Sequence, residues 1–148
     1  MSFKTTNELE HFDFNEAVIF EIRQSLDSLS IVLDNVKILP ENSCNRDIRT
    51  MRTNQLTLTL LNGKISELVD EGYQLYDINM KPYKSVPDRM IEPDQYEEAF
   101  KELTDCTIHS IERTDQGYLV SIDTFDHTWR ISVEADSDTE EWNRFMNL

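Results

Sequence analysis

Asp123, Asp126 and His127 fall within five residues of one another in Ser121-Ile122-Asp123-Thr124-Phe125-Asp126-His127-Thr128. Carboxylates and an imidazole at a tight turn suit two tasks, holding a divalent metal ion or passing a proton near neutral pH. The plainer reading is that the aspartates cap backbone donors of a β-turn. His127 shares parity with Trp129, Ile131 and Val133, and on that reading it is a part-buried ring with one hydrogen bond. His109, expected on a neighbouring strand, would complete a weak transition-metal site if it converged with His127. Otherwise it is a solvent-facing strand histidine.

Arg46, Arg49 and Arg52 recur every three residues and form the only basic cluster of an acidic chain. Guanidinium groups so spaced could clamp a carboxylate or phosphate bidentately and anchor a ligand. Against this, a local positive patch in so acidic a chain should pair with its own carboxylates. Tyr73, Tyr76 and Tyr83, with Met80 between them, form an aromatic segment of the kind found at protein interfaces, or a flap closing over a sheet. The acidic run Glu134–Glu141 could steer a basic partner, although a solvated charge run capping a helix is the more ordinary account.

Absent motifs narrow the field further. The sequence has no glycine-rich phosphate loop, Gly-x-Ser-x-Gly elbow, His-Glu-x-x-His or paired-cysteine zinc motif. Gly63, Gly72 and Gly117 all read as turn residues. These absences favour a noncatalytic protein without a cofactor.

The elements that would position these residues are mostly strands. Val18, Phe20 and Ile22 alternate with Ile19, Glu21 and Arg23, and Leu29, Ile31 and Leu33 follow a polar turn at Asp27, which predicts a hairpin. Glu41–Asn54 is a long polar connection. Leu56, Leu58 and Leu60 face one way on the clearest strand of the chain, and Asn62-Gly63 predicts a type I′ turn returning Lys64–Val69 as its partner. Asn79–Arg89, broken by Pro82 and Pro87, reads as a loop. Pro93 opens a helix running to about Leu103. Cys106–Arg113, the segment from Tyr118 to Ile122, and Trp129–Val133 predict a three-strand meander. Ser137 with Glu140, or Asp138 with Glu141, then resembles a capping box opening a closing helix with Trp142, Phe145 and Met146 on its apolar face. The first fifteen residues read as a loosely held lead-in. The expected fold is mainly β (α+β): an antiparallel sheet of 6–7 strands forming a partial barrel or sandwich, with two helices in the C-terminal half, as one domain.

Charge sets the expected partners. The 148 residues carry 14 Lys and Arg against 29 Asp and Glu, a net −15. Residues 1–74 hold 7 basic and 12 acidic side chains, and residues 75–148 hold 7 and 17, so the second half is the more negative. Such a field repels phosphate backbones and anionic lipid and speeds encounter with cationic proteins. No apolar leader or membrane span is visible, and two cysteines, Cys44 and Cys106, are too few for a disulfide framework; a cytoplasmic protein with reduced thiols is expected. In size and charge, though not residue by residue, the chain resembles the small acidic bacterial proteins among which immunity proteins against toxins are prominent. The functional expectation is an acidic binding protein engaging a basic protein partner, an immunity-type role against a toxin being one form. One alternative is a small-molecule carrier with an apolar cavity behind Leu56, Leu58 and Leu60 and the arginines at its mouth. An enzyme or metal site at the Asp123–His127 turn is another. Sheet edges would also allow a homo-oligomer.

Overall fold

The computed structural model describes residues 2–148. Strand β1 (Phe3–Thr6) and the two-residue β2 (Phe12–Asp13) are followed by β3 (Val18–Gln24), β4 (Ser28–Asp34), β5 (Val36–Ile38), β6 (Met51–Thr53), β7 (Leu56–Leu61) and β8 (Lys64–Asp70). Next come β9 (Tyr73–Tyr76), β10 (Pro82–Val86), β11 (Arg89–Met90), helix α1 (Tyr96–Leu103), β12 (Thr107–Arg113), β13 (Gly117–Asp123), β14 (Thr128–Glu134) and β15 (Ser137–Trp142). Ten strands make one antiparallel sheet in the order β1-β15-β7-β4-β3-β12-β13-β14-β8-β11. The small sheets β2-β5-β6 and β9-β10 complete the strands.

The order of the strands fixes the shape of the sheet. Consecutive strands β7 and β8 stand six places apart, about 29 Å in a flat sheet at the usual ~4.8 Å spacing. Only Asn62 and Gly63 join them, a link of about 11 Å at full stretch. The sheet therefore rolls until its two halves face each other, and Asn62 turns the corner at φ 56°. The two residues between β14 and β15 make the second crossing, where Asn62 Nδ2 donates to Asp136 Oδ2 at 2.7 Å and ties the corners together. Between β3 and β12 the halves meet edge to edge through backbone bonds such as Ile108 N to Ala17 O, 2.7 Å.

The core lies inside the roll. Leu29, Ile31 and Leu33 of β4 and Leu56, Leu58 and Leu60 of β7 line one half; Tyr118, Val120 and Ile122 of β13 and Trp129, Ile131 and Val133 of β14 line the other. The sequence alternation that marks these strands is the alternation of buried and solvent-facing side chains. Helix α1 follows a 3₁₀ turn at Pro93–Gln95 and packs against β3 with Ala99, Phe100 and Leu103 buried.

Mainly β architecture, the β3-β4 hairpin, the β12-β13-β14 meander and the helix after Pro93 agree with the sequence reading. Several details differ. The large sheet has ten strands rather than six or seven, and there is one α-helix rather than two. The expected closing helix is strand β15, because Asp138, Glu140 and Trp142 alternate inward with period two and gain ladders on both sides from β1 and β7. The capping-box pattern carried too little free energy to compete with two complete sets of strand hydrogen bonds. Asn62-Gly63 is a corner and not a hairpin turn, since β7 pairs with β4 and β15 while β8 pairs with β14 and β11. The lead-in is built into the fold, with Phe3 stacked on Trp142 and Phe12 and Phe14 buried. Residues 79–89 are largely strand, and Met51–Thr53 of the long polar connection form β6.

Candidate partner-binding surface

The arm formed by β9 and β10 stands outside the large sheet. Its strands pair only with each other, from Tyr73 opposite Val86 to Tyr76 opposite Pro82, and all of β10 but Val86 is exposed. The tip closes where Asp77 N donates to Lys81 O at 2.9 Å, with Met80 at φ 62°. Gly72 begins the arm because the chain returns against it: a Cβ there would lie 2.1 Å from Val86 O, and Gly72 N donates to Asp88 Oδ1 at 2.6 Å. Along the arm Ile78 is 99% exposed, Met80 75%, Tyr83 66% and Tyr76 50%. Met90 at its return and Phe125 in the β13-β14 turn are exposed as well. The register places that turn at the arm's root, since Trp129 lies opposite Asp70. Six of the eleven large apolar side chains exposed among the described residues thus gather at one end of the molecule, which distinguishes this end from singly scattered surface residues.

The root is charged and heavily bonded. His127 is sandwiched by carboxylates, with Nδ1 2.5 Å from Asp126 Oδ1 and Nε2 2.6 Å from Asp70 Oδ1. Arg89 holds the other oxygen of Asp70 at 3.0 Å and lies over the Trp129 ring. Arg130 donates to Glu67 at 2.6 Å and to Glu71 at 3.2 Å, and the Tyr73 ring lies 5.2 Å from His127. Burial works against a charge on His127, but hydrogen bonds to Asp126 and Asp70 and the charge of both outweigh it and raise its pKa. Two acceptors at its two nitrogens suit a charged ring, which joins Arg89, Arg130 and the carboxylates in one bonded cluster.

The other candidates read from the sequence are placed as follows. Asp123 faces His109, 3.4 Å from its Nδ1, rather than His127, so the two histidines belong to different pairs. His127 is part-buried as its parity predicts, but it has two carboxylate partners where one bond was expected. No group of three or more His, Cys, Asp or Glu side chains among the described residues is arranged to hold a metal ion. Arg49 forms a two-point pair with Asp47, at 3.2 and 3.0 Å, and Arg52 Nε donates to Asn147 O at 3.1 Å. Arg49 and Arg52 are therefore engaged by the chain itself, while Arg46 is exposed. Leu56, Leu58 and Leu60 are fully buried in the core. Of the three tyrosines, Tyr73 is turned to the root, and Tyr76 and Tyr83 to solvent. Cys44 and Cys106 are free thiols.

One polar cluster escaped the sequence reading. Asp138 and Glu140, neighbours on the inward face of β15, are wholly buried. Asp138 Oδ1 accepts from the Tyr118 hydroxyl at 2.6 Å and from Arg113 Nη2 at 3.1 Å, and Glu140 Oε1 accepts from Thr5 Oγ1 at 2.7 Å. Burial, then hydrogen bonding to Asp138, pushes the Glu140 pKa up to about 9. The signal was the spacing of Asp138, Glu140 and Trp142, a strand period read as a helix cap.

A groove of about 440 Å³ between α1 and β3 is floored by Ile22, Tyr96 and Phe100 and rimmed by both signs of charge, including Glu21, Arg23, Glu97 and Lys101. No helix among the described residues is long and apolar enough to cross a membrane. Comparison with protein-family models, curated proteins and solved structures finds no match to the chain.

Proposed function

We propose that the chain is a noncatalytic binding protein that engages a basic protein partner through the β9-β10 arm and its root. The observation that carries this reading is the gathering of Tyr76, Ile78, Met80, Tyr83, Met90 and Phe125 at one end. Aromatic and Met side chains supply apolar contact area and adapt to a partner's relief, which is why both are enriched at interfaces. Acidic groups outnumber basic ones at this end: Glu67, Asp70, Glu71, Asp77, Asp88, Asp123 and Asp126 stand against Lys81, Lys84, Arg89 and Arg130, with His109 and His127. A cationic protein is steered to this end by the −15 field, and apolar contact then holds it there. An immunity-type role against a basic toxin is one form such binding would take.

Parallel affinity capture tests the reading. The native chain is compared with a variant carrying Tyr76→Ser, Ile78→Ser, Met80→Ser and Tyr83→Ser, which should leave thermal unfolding unchanged because all four side chains are exposed. The expected result is a basic protein retained by the native chain, lost from the variant, and bound more slowly as salt rises. Equal capture by both chains, or recovery of nothing but further copies of the chain itself, would count against it.

A further inference from the structure

We infer that His127 is a protonation-dependent latch that fixes the pose of the β9-β10 arm by tying the 124–127 turn to the last residue of β8. The latch gives the arm a regulated state and takes its purpose from the partner-binding reading, but its test requires no partner.

The geometry itself specifies the proton count. Each ring nitrogen of His127 faces a carboxylate oxygen, Nδ1 at 2.5 Å and Nε2 at 2.6 Å. A carboxylate only accepts, so both nitrogens must carry hydrogen, and only the imidazolium does. A neutral ring sets one lone pair against an oxygen lone pair, and that contact opens. Asp70 is the final residue of β8, and the arm starts two residues later, at Gly72–Tyr73. Asp70 is also the terminal pair of the ladders of β8 with β14 and with β11, so the ring is tied to the point where the sheet ends and the arm begins.

The groups facing the ring come from each element around it. The turn supplies Asp126 and the Thr124 hydroxyl, 3.4 Å from Nδ1. Strand β8 supplies Asp70, whose second oxygen is held by Arg89 of β11, and β9 lays Tyr73 against the ring. Nearby, Glu71 accepts from Thr128 Oγ1 at 3.1 Å and from Arg130, which also binds Glu67. When the ring becomes neutral, Asp70 retains Arg89 as its cation, so the Asp70–His127 contact is the one that can part at least cost. Burial opposes the charged ring but the two aspartates outweigh it, and the His127 pKa is raised. The latch is therefore fully engaged below the ordinary histidine value and is released as pH climbs through the raised one.

Hydrogen exchange of amides 71–76, 83–86 and 88, measured from pH ~6 to ~9 and corrected for intrinsic rates, reads the latch directly against β12 and β13 as internal reference. The opening constant at the root should rise with pH, by at most about tenfold per pH unit for loss of one proton. His127→Gln should remove this dependence and leave the root open throughout. Asp126→Asn takes away one stabilising charge and should move the midpoint to lower pH. Root exchange without excess pH dependence, or the same dependence in His127→Gln, would overturn the latch. Should His127→Gln fail to fold, an unmoved midpoint in Asp126→Asn overturns it equally. Failure of the partner-capture experiment leaves all of these outcomes readable.

Discussion

Glu140→Gln should make the protein more stable at neutral pH, although it alters a fully buried and hydrogen-bonded side chain. In the native fold Glu140 Oε1 accepts from Thr5, while Oε2 and the Oδ2 of Asp138 are left without a donor. A single proton on Glu140, directed at Asp138, satisfies both oxygens, and burial together with that bond lifts its pKa from 4.5 to about 9. The unfolded chain releases this proton above pH 4.5, but the folded chain keeps it. The stabilisation is thus complete below pH 4.5 and is lost as pH rises towards 9. At about 1.4 kcal/mol per pH unit, the loss by pH 7 comes to about 3 kcal/mol. The Gln amide supplies an N–H to Asp138 and a carbonyl to Thr5 without taking up a proton, so it escapes this loss. Urea unfolding of both proteins at a series of pH values measures the effect. The two should be nearly equal near pH 4.5 and diverge in favour of the variant by about 3 kcal/mol at pH 7. A difference that does not change with pH, or a variant less stable at pH 7 than at pH 5, would refute the shared proton.

The core and the arm carry further expectations. Tyr118→Phe removes the 2.6 Å donor to buried Asp138 and should cost about 2 kcal/mol in urea unfolding, hydrogen bonds to charged groups being worth roughly 1.5–3 kcal/mol. Leu58→Ala empties a fully buried site in β7 and should cost about 2–5 kcal/mol by the same measurement. Gly72→Ala places a methyl 2.1 Å from the Val86 carbonyl, so the arm's root should lose exchange protection while β12 and β13 keep theirs.

Legibility followed the range of the forces involved. The meander, the β3-β4 hairpin and the helix after Pro93 were readable because each is specified by local periodicity with a nearby turn or stop signal. β8 was only partly readable, since the ladder slips between Ser132 and Val133 and so sets Ile65 and Leu68, three residues apart, opposite the inward Val133 and Ile131, while Val69, opposite Arg130, is buried outside the core cluster. Of the candidate sites, Tyr76 and Tyr83 lie on the exposed arm and His127 is part-buried. Asp70, Arg89 and Phe125 reach the same place from elsewhere in the chain, and no spacing rule in the sequence joins them.

By itself, the sequence determined an acidic chain of alternating strands with no familiar catalytic or phosphate-binding motif, because composition and period are local properties. The tertiary structure decided that Asn62-Gly63 is a corner, that Ser137–Trp142 is a strand, and that Asp138 and Glu140 meet Tyr118, Arg113 and Thr5 inside the roll. Those outcomes depend on which edges remain free once other strands have paired. A strand takes the partner that satisfies its backbone bonds and buries its apolar face together, and that partner is often far away in the chain.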